Sequence, residues 1–159
     1  EKVIAGLGSF TGTRRRFELK GEVSGIKVID DYGHHPTELI VTLKAAKNLA
    51  QEGRVLVIFQ PHRYSRTAAF ANQFSQALSL ADFTYLLEVY AASEKPLPGV
   101  SSLLIAKNMS SQQVKFEPSM LQVVSDVVAM AKSGDVIITL GAGDVSSLGE
   151  PILQALASR

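Results

Sequence analysis

Three polar segments of the chain gather residue types able to do chemistry. Asp30-Asp31-Tyr32-Gly33-His34-His35-Pro36 sets two adjacent carboxylates beside two adjacent imidazoles. Such a set can ligate a metal, shuttle protons, or hold a ribose and an amine. It also has a plain reading: Asp30 or Asp31 caps a helix start, and a histidine fills space beside Pro36. Gln60-Pro61-His62-Arg63-Tyr64-Ser65-Arg66 spaces two guanidinium groups three residues apart, on one side if a helix has begun there. Two such groups hold a carboxylate or phosphate bidentately, which lysine does less selectively; surface salt bridging is the alternative. Gly141-Ala142-Gly143-Asp144 either lets backbone approach a ligand or makes a tight turn, and it lacks the third glycine of a dinucleotide fingerprint.

These segments need a scaffold that brings them together. Val55-Leu56-Val57-Ile58-Phe59, Phe83-Thr84-Tyr85-Leu86-Leu87 and Val136-Ile137-Ile138-Thr139-Leu140 are apolar on both faces and partly β-branched, the pattern of buried parallel strands. Ile26-Lys27-Val28-Ile29 predicts a further strand, and Val114 to Phe116 a brief one. Helical spacing lies between them: Leu39, Leu43, Ala46, Leu49 and Ala50 after Pro36, then Phe70, Phe74, Ala77 and Leu78, then Leu121, Val124, Val128 and Ala131. Ser101 to Asn108 predicts a short helix and Leu148 to Ala157 the terminal one, while Lys95 to Gly99 reads as a surface loop. Pro36 suits the first turn of its helix, where the missing N–H costs nothing, and Glu38 suits the positive end of the dipole. The alternation predicts one α/β domain over residues 1–159: a Rossmann-like, doubly wound, mostly parallel sheet of about six strands with helices on both faces. Ligands of such sheets bind beyond the carboxyl ends of the strands. Each polar segment follows a predicted strand, so His34, His35, His62, Arg63 and Arg66 are expected at one sheet edge.

Bulk properties narrow the function classes. At 159 residues and 46% apolar composition, the chain can bury a sizeable core. Sixteen basic against fifteen acidic residues leave no overall field to draw nucleic acid or membrane, so anion recognition is local. Cysteine is absent, which removes disulfides, thiolate metal sites and cysteine nucleophiles. The longest apolar runs are about five residues, far short of the ~20 of a membrane helix, and no signal-peptide pattern opens the chain. The chain begins at Glu1 and runs straight into Lys2-Val3-Ile4-Ala5-Gly6-Leu7, which reads as a domain boundary within a longer protein. Gly6-Leu7-Gly8 and Gly12 lack the Gly-Lys-Ser/Thr of a phosphate-binding loop, so no triphosphate cradle is expected. Arg14-Arg15-Arg16 is too short for a nucleic-acid surface, but one member can reach phosphate presented by a neighbouring domain.

Four segments together, Thr13-Arg14-Arg15-Arg16-Phe17-Glu18, Asp30 to Glu38, Phe59 to Thr67 and Gly141 to Asp144, resemble the C-terminal domain of the Mur ligases, from about Val3 to the terminal helix. Within that family, His-His-Pro-Thr-Glu and Gln-Pro-His-Arg are most similar to the branch that joins L-alanine to UDP-N-acetylmuramate. The resemblance implies the last domain of a three-domain cytoplasmic ligase. Its N-terminal domain binds the UDP-sugar, and its central domain carries most of the site for ATP and Mg²⁺. It implies activation of the lactyl carboxylate as an acyl phosphate, attack by the amine of L-alanine, and no turnover by this domain alone. Carried over by motif, Arg16 contacts phosphate and Asp31 the ATP ribose. Tyr32 and His34 line the junction of nucleotide and amino acid. Arg63 and Arg66 hold the amino-acid carboxylate or steady the reacting phosphate, while His35 and His62 support these groups from behind or are structural. Ser93 departs from the Arg or Gly often found there. Two rival readings remain: a stand-alone Rossmann-like module binding an anion or nucleotide, and a metal-dependent phosphoesterase using Asp31, His34 and His35.

Overall fold

The computed structural model describes residues 15–159. The Lys2 to Leu7 segment, Gly8, Gly12, Thr13 and Arg14 lie outside the described residues. Chain order is β1 (Glu18–Val23), β2 (Ile26–Asp31), α1 (Pro36–Ala50), β3 (Val55–Phe59), α2 (Tyr64–Leu78), β4 (Phe83–Leu86), α3 (Leu103–Ala106), β5 (Val114–Phe116), α4 (Met120–Met130), β6 (Val136–Leu140), a 3₁₀ turn (Asp144–Leu148) and α5 (Gly149–Ala157). The strands form one sheet in the order β1-β2-β6-β3-β4-β5. All neighbours are parallel except β1, which runs antiparallel to β2.

The apolar-on-both-faces runs occupy the middle of the sheet because only there are both faces covered. Every residue of β3 and β6 is buried. One face packs Val57, Phe59, Ile138 and Leu140 against Leu39 and Leu43 of α1 and Phe74 and Leu78 of α2. The other packs Leu56, Ile58 and Ile137 against Val123 and Val127 of α4 and Ile152 of α5. Each such side chain contributes roughly 1.5–3 kcal/mol of burial. At the amino ends of these strands, Arg54 Nη2 meets Asp135 Oδ2 at 2.6 Å and the Arg54 N–H donates to Asp135 Oδ1 at 3.0 Å. That clamp fixes β3 against β6 and so levels the loops at their far ends.

Several expected boundaries shift. Strand β1 was not foreseen: Glu-Leu-Lys-Gly-Glu-Val is a half-exposed edge with weak strand propensity. Its signal was the Ser24-Gly25 pair, whose φ values of 52° and 76° turn β1 into β2 in two residues. Asp30 and Asp31 are the last residues of β2, paired with Thr139 and Leu140, and not part of the following loop. Neither caps α1. His35 is the N-cap, and the Glu38 carboxylate accepts from the His34 and His35 N–H groups at 2.9 and 3.0 Å. The helix expected over 101–108 shortens to Leu103–Ala106.

Candidate functional site

The carboxyl ends of β2, β6 and β3 lie side by side, so the three polar segments share one rim. On its outer flank, Asp31 is pinned by three donors: the Phe17 N–H (2.7 Å), the Gly33 N–H (2.8 Å) and the Thr42 hydroxyl (3.1 Å). A carboxylate offers about four acceptor positions, so one remains. Arg15 bends inward. Its Nε meets the buried Asp30 carboxylate at 3.1 Å, Nη2 donates to Gly141 O (2.6 Å) and Gly143 O (3.3 Å), and its guanidinium lies 4.9 Å above the Tyr32 ring. The Tyr32 N–H returns a bond to Arg15 O at 2.6 Å. Arg16 is exposed. With Phe17, Asp31, Tyr32, Val41 and Thr42 it lines a cavity of about 500 Å³ between the Arg15–Phe17 segment and α1.

On the inner flank the rings chain together. Tyr32 meets His34 edge to face at 5.3 Å, His34 meets His62 at 5.7 Å, and His62 stacks on Tyr90 at 5.6 Å with planes 13° apart. The turn after β2 and the turn after β3 therefore meet, although β6 lies between their strands. Arg66 Nη1 approaches His62 Nδ1 and the His62 carbonyl, both at 3.3 Å. Guanidinium only donates, so this Nδ1 accepts and the imidazole is neutral. Burial, followed by the charges of Arg66, His34 and Arg63, holds His62 below the ordinary histidine value, against a smaller opposite pull from Glu94. His62, expected to support the site residues or to be structural, thus sits at the centre of the rim.

Arg63 and Arg66 come together differently from expectation. Helix α2 begins at Tyr64, so Arg63 is its N-cap and only Arg66 lies in the first turn. The one-sided spacing of a helix therefore does not relate them. Arg63 instead has φ 75° and ψ 136°, a conformation that costs a non-glycine residue of order 1–3 kcal/mol. The exposed Arg63 side chain and the half-buried Arg66 flank one turn beside His62. His35 turns aside, its ring 4.9 Å from Phe70 and its Nδ1 2.9 Å from the Thr37 hydroxyl.

The glycine turn is structural at close quarters. Gly141 has φ 145°, and a side chain at Gly143 would strike the Gln60 carboxamide and the Tyr90 ring. Gln60 donates to Asp144 Oδ1 at 2.7 Å and accepts from the Val145 N–H at 3.2 Å, tying the loops after β3 and β6. A metal triplet of Asp31, His34 and His35 does not assemble, because Asp31 faces backbone donors and His35 faces Thr37. Among the described residues, no three His, Asp or Glu side chains group around a common point. Sequence reading missed Gln60, Tyr90, Glu94 and the inward role of Arg15. Nothing local separates Arg15 from Arg14 and Arg16, and Tyr90 and Glu94 follow a strand end not weighed as part of the rim.

Residues 15–143 match the family model described as Mur ligase, glutamate ligase domain. The UDP-N-acetylmuramate--L-alanine ligase of Rhodococcus erythropolis is 47% identical over 169 residues, covering 99% of this chain and 34% of its own length. That of Mycolicibacterium smegmatis is 50% identical over 158 residues, covering 98% and 33%. The chain thus spans about a third of the length of the curated relatives it matches. Among solved structures, the UDP-N-acetylmuramate-alanine ligase of Thermotoga maritima superposes with a TM-score of 0.78 at 27% identity, covering 98% of this chain and 33% of that one. A murein peptide ligase from Psychrobacter arcticus gives 0.77 at 27% identity, covering 100% and 33%. The chain belongs to the Mur ligase family, to which it contributes a glutamate ligase domain.

Proposed function

We propose that this chain is the C-terminal, amino-acid-presenting domain of a three-domain cytoplasmic ligase that joins L-alanine to UDP-N-acetylmuramate in peptidoglycan synthesis. The observation that carries the reading is the two-flanked rim. A nucleotide-sized cavity lies on one side of Tyr32 and His34, and the Arg63–Arg66 turn lies on the other.

The residues present fit the sugar end of ATP. The cavity of about 500 Å³ lies within the range of small-molecule sites. Asp31 keeps one acceptor position for a ribose hydroxyl, Tyr32 is exposed at the cavity wall, and Arg16 supplies an exposed cation for phosphate. ATP with Mg²⁺ supplies the phosphoryl group that activates the lactyl carboxylate, and the Mg²⁺ ligands are assigned to the central domain. This chain's part is then orientation. Arg63 holds the carboxylate of L-alanine, Arg66 braces His62 and the reacting end, and neutral His62 with His34 walls the space between. A clamp on the distant carboxylate aligns the amine without touching it, and alignment of this kind lowers barriers by up to roughly 7–11 kcal/mol.

The test is Arg63→Ala in the three-domain protein. The expected result is an apparent KM for L-alanine raised about a hundredfold, the loss of roughly 3 kcal/mol from a charged clamp, with KM for ATP within about twofold. A shifted KM for ATP with alanine unchanged would reverse the assignment. This chain alone should show only background Mg²⁺-ATPase activity, and substantial turnover would remove the reading.

A further inference from the structure

The strained Arg63 is held at both ends of its backbone: its carbonyl accepts from the Thr67 N–H at 3.1 Å and the Thr67 hydroxyl at 2.9 Å, and its N–H is taken by another loop. That N–H donates to Tyr90 O at 2.8 Å, and the Tyr90 N–H donates to Pro61 O at 2.8 Å, so the loop after β4 is zippered to the loop after β3. Two residues further along α2, the Ser65 N–H and hydroxyl both donate to the Glu94 carboxylate, at 3.0 and 2.5 Å. Arg63 itself gives α2 no side-chain cap, so Glu94 stands in for one from 29 residues away. The supporting loop is unusual in its own backbone: Ala92 and Ser93 have φ 47° and 74°. Those values turn the chain so that Glu94 reaches back to the helix start. Helix α2 also breaks at Phe70 (φ −121°, ψ 16°), so its first turns are not fixed by the rest of the helix. Beside the Thr67 bonds to Arg63 O, the Glu94–Ser65 bonds tie that first turn to the 90–94 loop.

We propose that Glu94 is a positioning residue for the amino-acid clamp: by capping α2 through Ser65 it keeps Arg63 in its strained conformation, and Arg66 in the adjoining turn, where both face the substrate. The inference rests on the reading of Arg63 as the carboxylate contact. Glu94 touches no substrate. Its Ser65 bonds, aided by the nearby Arg63 charge, hold its carboxyl below the ordinary value, so it is ionised at neutral pH. The geometry also separates the flanks, since the bonds of Glu94 lie on the α2 side and those of Asp31 on the α1 side.

The experiment compares Glu94→Ala, Glu94→Gln and the parent residue in two settings. In this chain, amide hydrogen exchange at Ser65 should quicken about tenfold in E94A, the scale of a lost cap, while exchange in β3 and β6 stays as it was. In the three-domain ligase, E94A should raise KM for L-alanine about tenfold with KM for ATP within twofold, and E94Q, whose amide oxygen still accepts, should recover most of the loss. Unchanged exchange and unchanged KM for L-alanine overturn the inference while leaving the site reading intact. Faster exchange with unchanged KM for L-alanine overturns the assignment of Arg63 to the amino acid, and the inference falls with it. A general loss of protection throughout β3 and β6 means that Glu94 supports the fold as a whole, and that too overturns it.

Discussion

Replacing Arg15 by methionine should destabilise the domain by about 3 kcal/mol. The figure follows from its partners. Asp30 is 2% exposed and has two side-chain donors, Arg15 Nε at 3.1 Å and the Thr139 hydroxyl at 2.7 Å. Without Arg15 the buried carboxylate keeps one. Breaking a fully buried pair costs roughly 3–5 kcal/mol, but the Arg15 side chain is 27% exposed, which places the loss near the lower end. The carbonyls of Gly141 and Gly143 lose their Arg15 donor as well. For a domain of this size about 3 kcal/mol lowers Tm by roughly 6–12 °C. With no tryptophan in the chain, urea and thermal unfolding are best followed by far-UV circular dichroism. The pairing itself is tested by a cycle with Asp30→Asn. Once Arg15 is gone, removing the Asp30 charge should cost little, leaving a coupling above roughly 1 kcal/mol. A loss under about 1 kcal/mol for Arg15→Met, or strict additivity in the double variant, would refute the inward clamp.

Three other outcomes are expected. The Thr84 hydroxyl is buried in the sheet without a hydrogen-bond partner among the described residues, so Thr84→Val should stabilise by about 1 kcal/mol, read as a Tm rise of roughly 2–4 °C; a fall would show that the hydroxyl has a partner. Burial alone would raise the carboxyl of Asp135, but bonds from the Arg54 side chain, the Arg54 N–H and the Lys132 N–H outweigh it and hold the group below its ordinary value. The ion pair therefore contributes stability above the unfolded value of about 3.9, and that contribution disappears as pH falls through the lower folded value. Asp135→Asn should lower stability at pH 7 and flatten the acid limb of the pH profile, and an unchanged acid limb would contradict this. Gly143→Ala should cost several-fold more than Ala142→Gly in a melting experiment, because a methyl at 143 meets Gln60 and Tyr90; equal effects would show that the glycine turn is loose.

Much of the fold was legible because buried parallel strands announce themselves: Val55–Phe59 and Val136–Leu140 carry no polar face to confuse with a helix. Strand β1 was not, since an edge strand satisfies only half its surface and Leu19 remains 56% exposed. The rim was legible as three segments following three strands. Its internal wiring was not. Which of three adjacent arginines folds inward depends on where Asp30 and the Gly141 carbonyl lie, and these are set by pairings across more than a hundred residues. The left-handed turn at Arg63 was equally hidden, because its supports, Tyr90 and Glu94, come from a different strand end.

The most direct measurement is a crystal structure of the three-domain ligase with a non-hydrolysable ATP analogue and L-alanine bound. The expected result places the ribose against Asp31 and Tyr32 and the alanine carboxylate within hydrogen-bond reach of Arg63, with the His34 and His62 rings between the two ligands. Alanine bound away from the α2 start, or the nucleotide sugar lodged on the His62 side, would contradict the division of the rim into two flanks.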